Sequence, residues 1–212
     1  MEDIIKQMLL NQISMKDFLD IVFTNPDLIS SINSLVPKEA VNNCAHPLWT
    51  KFSYAAMEKA SFKLWDEIKN IAKFNNTLGD NLNIFGNIKY FYCYAHPGFQ
   101  PTSKYEDEFN LLLDVAGESY GGPEVDGMIN DIISEYACIT PKTRRIREAK
   151  EKIALTFHVF EKKRPRWING AEWPMGISSP MQFVESKLIK EGKAYSFQDV
   201  DTGDIRTIVQ YY

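Results

Sequence analysis

Two short motifs place cysteine beside histidine: Cys44-Ala45-His46 and Cys93-Tyr94-Ala95-His96. Thiolate and imidazole are the ligands zinc prefers in tetrahedral sites, so Cys44, His46, Cys93 and His96 are the set a metal-dependent protein would use. Their spacing argues the other way. A Cys-x-His pair makes a poor chelate, and the aromatic, apolar surroundings suit core thiols. Each histidine precedes a proline, which holds its backbone extended and fits a loop. We read these residues as core cysteines and loop histidines, with no metal and no cofactor.

Other catalytic chemistry is as thinly represented. The chain has no Gly-x-Ser-x-Gly elbow and no phosphate-binding glycine loop, so nucleophilic and nucleotide chemistry lack their usual scaffolds. His158 stands near Phe157 and Phe160 without an adjacent acid or nucleophile, and reads as a packed or hydrogen-bonded helix histidine. Gly121-Gly122-Pro123 is a turn before a helix, whose free amides suit an anion. Asp107 with Glu108, and Asp199 with Asp201, look like first-turn and turn acids. The expectation is a protein that binds rather than turns over.

Two features suggest how it would bind. From Lys142 to Arg166 the sequence holds ten basic and three acidic residues, a segment of +7, while the remainder carries -11. Such a ridge suits a phosphate backbone or an acidic partner; the alternative is a solvated helix face with i,i+4 pairs such as Arg147/Glu151. The stretch Arg-Pro-Arg-Trp-Ile-Asn-Gly-Ala-Glu-Trp-Pro-Met from Arg164 places Trp167 and Trp173 six residues apart. They make either a binding platform or a plug joining helices to sheet, and the plug is the better reading, because large aromatics dominate cores. The partner-binding candidates are Arg144, Arg145, Arg147, Arg164, Arg166, Trp167, Glu172 and Trp173.

These residues need a frame, and the sequence periodicity describes one. Met15 to Phe23 reads as a helix capped by Ser14, and Asn25-Pro26-Asp27 starts another that ends near Pro37. Pro47 opens a longer helix to about Lys73, with Leu64, Trp65, Ile68, Ile71 and Ala72 inward. Asn75 to Asn87, rich in Asn, Gly and Asp, reads as a loop. Ile88 to Tyr94 fits strand or helix. Helices follow over Tyr105 to Val115 (Phe109, Leu112 and Leu113 inward), from Pro123 to Tyr136, and from Pro141 through Phe157 and Phe160. Beyond Pro165 the period changes from 3.6 to 2: Met181 to Leu188, Lys193 to Val200 and Ile205 to Tyr211 alternate like strands of an antiparallel meander. The fold expected is α+β, a mostly helical body over 1–164 with a small β-sheet appendage over 165–212 packed on it as one cooperative unit.

Composition sets the outer bounds. At 212 residues and a net charge of -4, the chain can bury a sizeable core and lacks the overall positive charge of a nucleic-acid binder. Three cysteines cannot build a disulfide framework. No apolar run approaches the roughly 18 residues of a membrane span, and the start lacks a signal-peptide pattern. A cytoplasmic protein without a membrane partner is the expectation.

Several motifs together carry a family likeness. Tyr120-Gly121-Gly122 with Glu124-Val125, Phe157-His158, Lys163-Arg164-Pro165 with Trp167, Glu172-Trp173-Pro174, Pro180-Met181 with Phe183, Asp201-Thr202-Gly203 and Gln210-Tyr211 resemble a family of uncharacterised bacterial cytoplasmic proteins. Its members look like immunity proteins of polymorphic or contact-dependent toxin systems. The likeness covers about residues 105–212 and brings no catalytic residues. It implies a non-enzymatic protein that binds and blocks a co-encoded toxin. The alternatives are a nucleic-acid-associated or regulatory protein using the ridge 142–166, and a metal-dependent protein using Cys44, His46, Cys93 and His96.

Overall fold

The computed structural model describes residues 2–41, 63–74, 77–161 and 163–212. The fold is α+β: helices α1 (Glu2–Leu9), α2 (Met15–Thr24), α3 (Pro26–Ser34), α4 (Lys38–Val41), α5 (Leu64–Phe74), α6 (Leu78–Ala95), α7 (Lys104–Val115), α8 (Asp126–Tyr136) and α9 (Lys142–Thr156), then strands β1 (Gln182–Ile189), β2 (Gly192–Gln198) and β3 (Ile205–Tyr211). Two compact units divide the chain, Met1–Tyr105 and Glu106–Tyr212. The change from helical to strand texture at Pro165 falls inside the second unit.

Local chemistry explains the first helices. The Ser14 hydroxyl accepts from the Asp17 amide at the start of α2. Asn25 ends α2 and caps α3 through the Asp27 amide, with Pro26 in the first turn, where its missing N–H costs nothing. Ile5, Met8 and Leu9 of α1, Phe18 and Val22 of α2 and Leu28 and Ile32 of α3 join Leu64, Trp65 and Ile68 of α5 in the core of the first unit. The expected helix start at Pro47 lies outside the described residues.

One expectation is overturned in this unit. The stretch expected as a loop over Asn75 to Asn87 is, from Leu78 onward, the first half of α6, which continues through Ile88 to Tyr94. A capping box starts it: the Thr77 hydroxyl accepts from the Asp80 amide, and the Asp80 carboxylate accepts from the Thr77 amide. Leu78, Ile84, Phe85, Ile88, Phe91 and Tyr92 are buried. Their burial outweighs the helix propensity lost at Asn81, Asn83, Gly86 and Asn87.

In the second unit, α8 buries Ile129, Ile132 and Ile133, and α9 buries Ala149 and Ile153. Two expectations are corrected, one inward position and one helix end. Leu113 is 59% exposed while Leu111 takes the buried position of α7, and Phe160 is 59% exposed because α9 ends at Thr156 and the chain turns away. The sheet has order β1-β2-β3, antiparallel throughout, with a register shift between Phe183 and Glu185 in β1. Tyr195 and Phe197 of β2 are fully buried, and Ser196 between them is not. A hairpin returns β2 to β3: Asp199 accepts from the Asp201 amide at 2.8 Å, and Gly203, at φ +79°, closes the turn on the Asp199 carbonyl. Close approach makes Gly192 obligatory, because a Cβ there would sit 2.0 Å from the Gln210 carbonyl oxygen.

Gly86 is the opposite case. It sits mid-helix in α6, and a Cβ would meet nothing within 4 Å. Gly86→Ala is expected to stabilise the protein by about 0.4–1 kcal/mol, chiefly by restricting the unfolded chain. A urea midpoint at or below that of the wild type would contradict the helical assignment.

Candidate functional site

The second unit is built around a cluster of aromatic rings. Trp173 is 1% exposed. Its ring stacks on Tyr120 at 5.4 Å and meets the edges of Phe157 at 5.0 Å and Phe197 at 5.4 Å. Its indole N–H donates to the Met181 carbonyl at 2.8 Å. Phe157 closes the end of α9 and Phe197 belongs to β2, so Trp173 joins helix to sheet. Trp167 is half-buried; it stacks on Phe197 and donates to the Ser119 carbonyl at 3.0 Å.

The segment between the two tryptophans runs along the inner face of β3, held chiefly by Gln210 and also by Asn169, whose side-chain amide donates to the Tyr211 carbonyl at 3.2 Å. Gln210 is buried; its carbonyl oxygen accepts from the Ile168 and Asn169 amides, and its amide donates to the Gly170 carbonyl and to Glu172 Oε1. Further along, Gly122 at φ +129° lets the two chain segments come so close that a Cβ there would lie 3.0 Å from the Trp173 nitrogen, whose N–H donates to the Gly121 carbonyl. This contact delivers Glu124 to Arg206. Their bidentate pair measures 2.8 and 2.9 Å, and Glu124 also accepts from the Met175 amide. The guanidinium first, and that amide second, hold the Glu124 carboxyl below its ordinary pKa, and the Arg206 pKa is raised in return.

A cleft of about 250 Å³ opens here, lined by Pro123, Glu124, Glu172, Trp173, Pro174, Arg206 and Ile208. Beside it, β3 is the last strand of the sheet. Tyr212 donates to the Glu191 carbonyl and Asp199 to the Asp204 carbonyl. With the unbroken register between them, the backbone groups of Arg206, Ile208 and Gln210 face β2. Those of Ile205, Thr207 and Val209 therefore point to the open edge and make no hydrogen bond among the described residues. Their side chains share the outer face with Tyr211; Ile205, Val209 and Tyr211 are 59%, 39% and 61% exposed.

The residues picked from sequence scatter across this unit. Arg144 pairs with Glu148 at 2.7 Å on the exposed face of α9, and Arg147 lies 3.9 Å from the same carboxylate. Arg145 is spent on structure, donating to the Ala137 carbonyl at the end of α8 at 2.6 Å. Arg164 lies against Tyr120 and opposes the upward push that burial gives its phenol. The Arg166 side chain is exposed, while its carbonyl accepts from Tyr195 and Lys193. Lys142 pairs with Asp114 at 3.0 Å, so part of the ridge is internally neutralised. Only Glu172 and Trp173 of the chosen set line the cleft. Glu124, Arg206 and Ile208 were not picked; the one signal for them is Arg206 as the sole charge in β3.

The cysteine and histidine readings fare unevenly. Cys44 and His46 lie outside the described residues. Cys93 is half-buried on α6, and burial raises its thiol pKa against the opposing charge of Lys89. His96 ends α6 with its ring 4.3 Å from Tyr92. Among the described residues no three His, Cys, Asp or Glu side chains converge as metal ligands. His158 sits just past α9 at φ +51° and its Nε2 is 3.0 Å from the Ser179 hydroxyl. No described helix is long and apolar enough to cross a membrane.

No family model, curated protein or solved structure matches the chain.

Two measurements test this geometry. Trp173→Ala is expected to cost about 3–5 kcal/mol in urea denaturation, and Trp167→Ala, half-buried, clearly less; equal losses would contradict the central place given to Trp173. Asp199 accepts from the Asp201, Ile177 and Thr202 amides, the first of these most strongly, and its pKa is lowered. A depressed carboxylate stabilises above its unfolded pKa, about 4, and loses that contribution as pH falls through the lower folded value. The stability gap between wild type and Asp199→Asn should therefore be widest at neutral pH and narrow below about pH 4. A gap independent of pH would contradict the assignment.

Proposed function

We propose that the chain acts by binding another protein rather than by turnover, as a cytoplasmic immunity-type protein that occludes the working surface of a co-encoded bacterial toxin. The observation that carries the binding reading is the open edge of β3. Natural sheets protect their edges with bulges, charges or proline, because unpaired strand backbone recruits other chains. β1 has such protection: a register shift near Val184 and the Glu185/Lys187 ion pair. β3 has neither bulge nor proline, and its single charge, Arg206, is held by Glu124. Strand addition at such an edge gives affinity through main-chain hydrogen bonds and specificity through side-chain pockets. The toxin-blocking part of the reading is supported by the sequence likeness over 105–212 and by the division between the +7 ridge and the -11 remainder. Opposite charges of that kind steer a charged partner into place.

Co-expression with a toxin encoded in the neighbouring reading frame tests this. Protection of the cells and a purifiable complex are expected; unchanged killing with no complex overturns the reading. Thr207→Pro refines it. The Thr207 N–H points away from β2, so proline removes no ladder bond, yet it deletes an edge donor. The variant is expected to keep its circular dichroism and bind the toxin about tenfold more weakly, the scale of one or two hydrogen bonds. Undiminished binding would move the interface away from β3.

A further inference from the structure

We infer that the cleft beside β3 receives one long basic side chain, Lys or Arg, from an extended segment of the protein partner that pairs with the β3 edge. This rests on the binding reading above and adds to it what the site selects. The cleft, at about 250 Å³, falls below the roughly 300–1,000 Å³ usual for small-molecule sites. It suits a single side chain better than a cofactor.

Register places that side chain. On a strand added antiparallel to β3, hydrogen-bonded pairs form at Thr207 and Val209, whose backbone groups point outward. The closer, non-hydrogen-bonded pairs then fall opposite Arg206 and Ile208, on the inner face. Those two residues form the β3 wall of the cleft, and no side chain of β2 lines it. A partner residue opposite either one has its Cβ about 4.5–5.5 Å away and points to the same face. Its side chain therefore enters the cleft.

Charge decides the chemistry. The lining carries two carboxylates, Glu124 and Glu172, and one guanidinium, Arg206. Glu124 and Arg206 satisfy each other. Glu172 gives Oε1 to Gln210, and its Oε2 has no partner among the described residues. Trp173, Pro123, Pro174 and Ile208 supply an apolar passage for an aliphatic stem, and Glu172 stands ready for the cation at its end. An acidic side chain would meet an excess of negative charge, and a short one would leave the carboxylate unpaired. A second copy of this chain fits less well. Pairing β3 with its symmetry mate about Ile208 would set Arg206 opposite Gln210, which already makes four hydrogen bonds. No free cation would then reach the cleft.

The test titrates isotope-labelled protein with an acetylated, amidated peptide, Thr-Val-Thr-Lys-Thr-Val-Thr, followed by two-dimensional NMR. A norleucine peptide of the same length is the uncharged control. Amide shifts at Thr207 and Val209 report the edge; shifts at Ile208 and the Trp173 indole report the cleft. The lysine peptide is expected to move both sets and to bind about fivefold more tightly than the norleucine peptide, the scale of one solvent-exposed charge pair. Glu172→Gln, which keeps an acceptor for Gln210, is expected to abolish that preference. Equal binding of the two peptides, or a preference that survives Glu172→Gln, overturns the cleft assignment; if Thr207 and Val209 still shift, edge docking stands without it. No shift at Ile208 and Trp173 at millimolar lysine peptide also overturns it. Concentration-dependent shifts at Thr207 and Val209 without peptide would give the edge to a second copy and overturn the assignment as well.

Discussion

The second unit depends on the burial of Trp173 more than on any other contact. A fully enclosed indole brings a large apolar surface, but its N–H needs an acceptor once water is excluded. The Met181 carbonyl supplies one at the point where the chain enters β1. Satisfying that donor sets the start of the sheet against the rings of Tyr120 and Phe157. The aromatic reading of this stretch as a joint is thus met by geometry: one ring touches the segment after α7, the end of α9 and the middle of β2.

The strained and close-packed positions follow from that anchor. For Trp173 to sit under Phe197, the chain before it must pass close to the Gly121-Gly122 turn. Gly122 makes the approach possible, having no Cβ to strike Glu172 and Trp173 at 3.0 Å. Gly176 does the same on the other side, where a Cβ would lie 2.8 Å from Asp199 Oδ2. Between these two close approaches, Gln210 satisfies four partners from 168–172. A rigid strap under β3 results. It engages the outer edge of that strand only at the Tyr211 carbonyl, which accepts from the Asn169 side chain, leaves the edge open over Ile205 to Val209, and forms one wall of the cleft.

Electrostatics at the site differ from the simple picture of a basic ridge facing a partner. On α9 much of the charge is local: Arg144 with Glu148, Lys142 with Asp114, Arg145 with a helix end. Exposed ion pairs such as the first two are screened by water and contribute little, so they shape solubility more than stability. The Glu124/Arg206 pair is different in consequence, because it removes the only charge on β3 from the open edge. A strand that would otherwise be marked by a lone cation becomes, in effect, neutral.

Elements governed by neighbours along the chain were legible in the sequence. Ser14, Asn25-Pro26 and the Asp201-Thr202-Gly203-Asp204 turn act through hydrogen bonds spanning a few residues, and their helices and hairpin fall where the spacing places them. The period-2 alternation of Tyr195 and Phe197 likewise shows which face of β2 is buried. The first half of α6 was not legible, since its Asn and Gly content signals a loop, and helix forms because Phe85 and Ile88 are buried by distant residues. The cleft was half legible: Glu172 and Trp173 stood out, but Glu124 and Arg206 are 82 positions apart. No periodicity encodes such a pairing. Nor could composition separate Trp173 from Trp167, because burial of one and partial exposure of the other depend on where the sheet closes. Interactions between near neighbours are written in the order of residues; those between distant ones exist only once the chain has folded back on itself.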